Sequence, residues 1–123
     1  MQAMWSDPSD SDDAMKMGVH AGERGSSMIP EFGPDVSERF CRDNALGLIV
    51  RSHQYIKEGF KVMHGGWVVC VFSARNYFLD RVIGHSNDAA ILLVAQDRNG
   101  DLRVHPKRLL AAAEPDEPGR VAT

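Results

Sequence analysis

Cysteine is scarce: Cys41 and Cys70 are the only two in 123 residues. Two thiols make neither a disulfide framework nor a spaced metal knuckle, and such usage points to a reducing, intracellular setting. Aromatic residues are few, at 7%. No run of about 18 apolar residues occurs, so no membrane-spanning helix is predicted. The start, Met1-Gln2-Ala3-Met4-Trp5-Ser6-Asp7, has no basic region followed by an apolar stretch and does not read as a secretory signal. Neither sign of charge dominates: 14 Lys and Arg against 17 Asp and Glu give −3. The cationic excess of a nucleic-acid binder is therefore missing. There is no internal repeat and no heptad. What remains is ordinary globular usage, 43% hydrophobic and 25% charged, with 11 glycines and 6 prolines implying many turns. The length suits one small domain, or a piece of a larger one.

Residues 1–17 read as an acidic loop segment, with Asp7, Asp10, Asp12 and Asp13 against Lys16. Pro8 lacks a donor, and the flanking Ser and Asp side chains compete with the backbone for hydrogen bonds. Residues 18–33 hold Gly18, Gly22, Gly25, Pro30 and Gly33 and also read mostly as loop. A helix is predicted from Pro34 to about Asn44: proline suits the first turn, and Asp35 and Glu38 suit the positive end of the helix dipole. Leu48-Ile49-Val50 has the pattern of a buried strand. Phe60 with Val62, and 67–72, predict two strands joined by a flexible turn at His64-Gly65-Gly66. Ala89 to Ala95 and Leu102-Arg103-Val104 predict a last hairpin around Asp97-Arg98-Asn99-Gly100. Residues 111–123 read as a disordered tail. The expected class is α/β, with one helix, four to five mainly antiparallel strands and 18–110 as the folded portion. Leu48-Ile49-Val50 and 68–71 look buried on both faces, so one helix leaves the sheet short of a covering layer.

Three segments carry chemistry. His53 follows the strand run 48–50 at its carboxyl end, where α/β folds collect ligand-binding side chains. It reads either as a metal ligand or as a core histidine bonded to a carbonyl. Arg24, in Glu23-Arg24-Gly25-Ser26, could hold a phosphate or carboxylate bidentately, or be a surface arginine. Tyr77, ending Phe72-Ser73-Ala74-Arg75-Asn76-Tyr77, could donate into a site or cap the core.

Taken in order, Trp5-Ser6-Asp7-Pro8, Arg24-Gly25, Phe32-Gly33-Pro34-Asp35, Leu48-Ile49-Val50-Arg51-Ser52-His53-Gln54, Gly59-Phe60 and 72–77 resemble the serine/threonine protein phosphatases of the PPP family, the calcineurin group. Asn87-Asp88-Ala89-Ala90 is similar to the small-residue strand that follows there. The resemblance runs from residue 5 to about 105 and implies the carboxyl-terminal portion of a metallophosphatase β-sandwich flanked by helices. It implies that His53 is a ligand of the second of two divalent metals, of manganese, iron or zinc type. It implies that Arg24 binds the phosphoryl oxygens, that Tyr77 overhangs the active site, and that Trp5 and Asp7 line the substrate cleft. In such a site a metal-activated hydroxide attacks phosphorus while arginine and the metals neutralise the equatorial oxygens and a histidine acid protonates the leaving group. Phosphoproteins are the implied substrates, regulatory subunits the possible partners, and cytoplasm or nucleus the implied location, with neither nucleic acid nor membrane.

Departures matter as much. The family's Gly-Asp-x-His-Gly, Gly-Asp-x-Val-Asp-Arg-Gly, Gly-Asn-His-Glu and His-Gly-Gly-hydrophobic-Ser motifs, which supply the other metal ligands and the acid histidine, are not in this sequence. His64-Gly65-Gly66 comes after His53 and so stands in the wrong place for the last of these. Arg75 replaces the family's usual proline, Phe78 stands where many members have cysteine, and the Arg24 to Gly33 separation is longer than usual. Phe78-Leu79-Asp80 is similar to calcineurin's version of this loop. The expectation is a truncated, catalytically silent chain, with a non-catalytic binding or regulatory remnant as the alternative.

Overall fold

The computed structural model describes residues 5–9, 16–22, 29–77 and 87–110. Strands β1 (Asp7–Pro8), β2 (Val19–Ala21) and β3 (Pro30–Phe32) precede helix α1 (Pro34–Asp43). Strands β4 (Ile49–Arg51), β5 (Phe60–Met63) and β6 (Val68–Val71) follow, with a single 3-10 turn at His64–Gly66 between the last two. Strands β7 (Ala89–Gln96) and β8 (Leu102–Leu109) close the described chain.

Helix α1 begins as its sequence dictates, with Pro34 in the first turn and Asp35 beside it. Asp35 also reaches back, accepting from the Gly18 N–H at 2.8 Å. Gly33 precedes the helix where the 16–18 segment crosses closely: a Cβ there would meet the Lys16 carbonyl oxygen and Met17. The Gly33 N–H donates to the Gly18 carbonyl at 2.9 Å. The helix ends at Asn44, whose amide donates to the Phe40 carbonyl at 2.8 Å.

The first sheet has the order β1-β3-β2, with β1 parallel and β2 antiparallel to β3. The second has the order β4-β6-β5, with β4 parallel and β5 antiparallel to β6. One face of this second sheet carries Met63, Val68 and Cys70, which form the core with Ile56 and the flanking Ile49 and Phe72. Strands β7 and β8 make a long antiparallel ribbon from Ala89 opposite Leu109 to Gln96 opposite Leu102. The ribbon joins the second sheet at its base: the Ala90 N–H donates to the Phe72 carbonyl and the Ser73 hydroxyl to the Ala90 carbonyl, at 2.9 and 2.8 Å. Gly59 allows that contact. Its φ is +85°, and a Cβ would collide with the Ala89 carbonyl group.

Several expectations change. The stretch around Asp7 and the 18–33 stretch are not all loop, since β1, β2 and β3 pair there into a sheet. Local loop chemistry is overridden by backbone pairing to a distant strand. Pairing is mainly antiparallel, as expected, in β2 with β3, β5 with β6 and β7 with β8, while β1 with β3 and β4 with β6 run parallel. Val68, Val69 and Cys70 are buried, but Val50 is 50% exposed, on a strand that is outermost in its sheet among the described residues. The last strand runs on through Pro106 to Leu109, well past Val104. Proline is tolerated there because β8 has only one neighbour among the described residues. The tail reading of 111–123 falls outside the described residues.

Candidate functional site

Parallel pairing fixes where the chemistry gathers. Strands β4 and β6 point the same way, with Arg51 beside Cys70. Their carboxyl ends, and the segments 51–54 and 72–77 that leave them, therefore emerge on one side of the sheet. At the end of β4 the chain turns sharply. His53 has φ +85°, a conformation that costs a non-glycine residue about 1–3 kcal/mol and persists only where surroundings enforce it. Its imidazole meets the Trp5 indole edge to face, with centroids 4.9 Å apart and rings at 85°. Both residues are exposed.

Asp7 is pulled into the same place from β1. It is 2% exposed, and its carboxylate accepts from the Arg51 guanidinium at 3.0 Å. Arg51 also donates to the Gln54 side-chain oxygen at 2.5 Å, so the 52–54 turn is held by the residue that begins it. The Cys70 thiol lies under this turn, 3.9 Å from the Ser52 carbonyl. Burial pushes the Cys70 thiol up from its ordinary value, and the nearby Arg51 charge opposes that in part. Cys70 is thus a buried thiol rather than a nucleophile.

Tyr77 stands on the neighbouring segment. Its exposed ring packs on Phe72 at 5.3 Å, and Phe72 in turn meets Tyr55 at 5.5 Å, both edge to face. The segment is clamped by Asn87, which is 1% exposed. The Asn87 amide donates to the Ala74 and Asp88 carbonyls and its oxygen accepts from the Tyr77 N–H, each at 2.7 Å. The Asn76 N–H donates to the Asn87 carbonyl at 3.2 Å, and Asn76 takes the left-handed φ of +56°.

The predicted site residues therefore form two groups on one side of the second sheet. Asp7 pairs with Arg51, Trp5 packs on His53 two residues further along, and Tyr77 stands on the segment that leaves β6. Arg24 lies outside the described residues. Two residues were not singled out from the sequence. Arg51 stands two residues before His53, and that closeness is its signal in the sequence. Asn87 had none beyond its place before a small-residue strand. His64, set aside as a ligand, is 1% exposed between α1, β1 and β3. Its Nε2–H donates to the Ser9 carbonyl at 3.1 Å, which leaves Nδ1 to accept from the Ser37 hydroxyl at 2.7 Å. Phe32 packs edge-on against its ring at 5.8 Å.

A metal centre needs several donors in fixed geometry. Among the described residues no three His, Cys, Asp or Glu side chains come together. His53 offers one imidazole, and the Asp7 carboxylate is committed to Arg51. These residues do not by themselves fit the two-metal centre that the resemblance implies.

No family model matches the chain. Individual relatives do. It is 37% identical over 107 residues to serine/threonine-protein phosphatase BSL2 of Arabidopsis thaliana, covering 87% of this chain and 9% of that protein. It is 45% identical over 74 residues to serine/threonine-protein phosphatase 5 of Rattus norvegicus, covering 60% and 13%. It is 40% identical over 77 residues to serine/threonine-protein phosphatase T of Schizosaccharomyces pombe, covering 63% and 15%. In fold it is similar to a solved Saccharomyces cerevisiae serine/threonine phosphatase described as similar to human phosphatase PP5. The TM-score is 0.62 and the identity 26%, over 91% of this chain and 34% of that one. The chain thus spans between 9% and 15% of the length of these curated relatives. By sequence and by fold together, it is similar to a part of serine/threonine protein phosphatases of the PPP family.

Proposed function

We propose that this chain supplies one wall of a cleft that binds phosphoserine and phosphothreonine in proteins, and that it does not hydrolyse phosphoesters by itself. The observation that carries this is the shared exit of 51–54 and 72–77 from the carboxyl ends of β4 and β6, with Asp7 held at 3.0 Å from Arg51. In this reading Trp5 and Asp7 line the cleft, with Arg51 fixing the Asp7 carboxylate. His53 presents one imidazole as a metal ligand, one donor of a set completed by residues other than those described. Tyr77 offers its hydroxyl as a hydrogen-bond donor from above. Arg24 holds the phosphoryl oxygens through its guanidinium fork. Regulatory subunits belong to the same proposal as possible partners.

The experiment is hydrolysis of a phosphoserine peptide by the pure chain with manganese added. No turnover is expected. Clear turnover that disappears in His53→Ala would show the chain to be an enzyme in its own right. A second reading, a binding or regulatory module without catalysis, is favoured by the lack of a metal-donor cluster among the described residues. Saturable binding of the same phosphopeptide, without turnover and weakened by Arg24→Ala, would support the wall reading and this one equally. Adding the remainder of a relative separates them, since only the wall reading predicts turnover then.

A further inference from the structure

The amino ends of β4 and β6 lie at the opposite end of the second sheet from the His53 turn. There the chain enters β6 from the turn at His64–Gly66, and the start of α1 comes alongside. Between them is a cavity of 370 Å³, at the low end of the roughly 300–1,000 Å³ range of small-ligand pockets. Met17, Pro34 and Trp67 give it apolar walls, and the buried His64 lines it as well. Asp35 and Glu38 of α1 bring two carboxylates to it.

Each carboxylate has one oxygen committed. The Asp35 Oδ1 accepts from the Gly18 N–H at 2.8 Å. The Glu38 Oε1 accepts from Nε and Nη2 of Arg42 at 2.9 and 2.7 Å. The second oxygens, Oδ2 and Oε2, have no partner among the described residues. Charge at the pocket is therefore unbalanced, with two carboxylates against the one guanidinium of Arg42. That guanidinium lies 5.6 Å from the Trp67 ring centroid, so the indole already accepts a cation against its face. Apolar walls for a stem and carboxylates for a charged head are the requirements of a long basic side chain.

We infer that this pocket takes one lysine or arginine side chain from a partner peptide. The stem lies against Met17, Pro34 and Trp67, and the cationic head reaches the second oxygens of Asp35 and Glu38. An acidic side chain is repelled there, and a neutral one leaves the charge unbalanced. The pocket holds a partner at the end of the sheet away from 51–54 and 72–77, so it serves as an anchor and does not bind the phosphorylated residue. The inference goes beyond the phosphatase reading and does not depend on it.

The test titrates the full chain, carrying Trp5→Phe so that Trp67 is its one indole, with a short peptide bearing a single central arginine. A saturable change in Trp67 emission is expected. The same peptide with citrulline, the neutral isostere, should bind at least about tenfold more weakly. Asp35→Asn combined with Glu38→Gln keeps acceptors for Gly18 and Arg42 but removes both charges, and should cost a similar factor. Should that variant lose its fold by circular dichroism, ionic strength replaces it: binding should weaken as salt screens the carboxylates. No saturable change, equal binding of the arginine and citrulline peptides, or indifference to both the charge removal and salt would each overturn the inference. So would self-association of the chain that the same carboxylate substitutions abolish, since the occupant would then be a second copy.

Discussion

Arg51 is the residue on which the site's geometry turns. Its guanidinium is the partner of a carboxylate that is 2% exposed, and it holds Gln54 at the far side of the His53 turn. Removing one member of a buried pair leaves an uncompensated charge, which typically costs about 3–5 kcal/mol. Arg51→Ala should therefore destabilise the chain by that order in denaturant titration. Arg51→Ala combined with Asp7→Asn should recover part of the loss. Additive losses in this double-mutant cycle would show the pair to be uncoupled. Asn87 acts on the other segment. Asn87→Ala leaves the Tyr77 N–H and the Ala74 carbonyl without their partner, a change expected to cost about 1–3 kcal/mol. Amide exchange at Asn76 and Tyr77 should rise while that of β6 stays slow. His53, Asp7 and Trp5 could be named from the sequence because motif order marks them. Arg51's role could not, because Asp7 lies 44 positions away and only folding brings them together.

Among the elements, α1, β5, β6 and β7 were legible because each is a local matter: Pro34 with an acidic first turn, or an apolar run bounded by turn residues. Strands β1, β2 and β3 were not, since two or three residues of Asp, Pro, Val or Glu carry no periodicity and acquire strand geometry from their pairing. The join between β7 and the second sheet gives a sharp test. Gly59→Ala combines a φ of +85° with a collision against the Ala89 backbone, so the loss should exceed the 1 kcal/mol or so usual for a misplaced alanine. Thermal melting would measure it, and a neutral effect would mean that β7 does not dock there. The far end of the ribbon should respond to pH. Asp97 accepts from Arg103 at 2.8 Å and from the Asn99 and Asp101 amides, and these bonds hold its carboxyl below the ordinary value of 3.8. A depressed folded value means that the contribution is complete above about pH 4 and is lost as pH falls through the folded value. Turn resonances of 97–101 should therefore stay constant from neutral pH to about 4 and lose their dispersion below it, and Asp97→Asn should remove that transition.

For the whole molecule, the decisive feature is how much apolar surface the described residues leave uncovered. Val50, Val62, Leu93, Val94 and Leu102 are each about half exposed or more. The chain should accordingly bind the dye ANS strongly. Weak dye binding by the free chain would mean that its faces are already covered. Both cysteines are buried, so neither Cys41 nor Cys70 should react with a thiol reagent until the chain is unfolded. The resemblance to the phosphatases is legible in the sequence, because six motifs in a fixed order are a property of the chain's linear text. The sequence by itself also determined the helix and the apolar strands, whose signals are local. Only the folded chain shows that β4 runs parallel to β6, outermost in its sheet among the described residues, and that Asp7 and Arg51 meet. These are contacts between distant segments, and their free energy depends on burial and backbone pairing that no short window of sequence encodes.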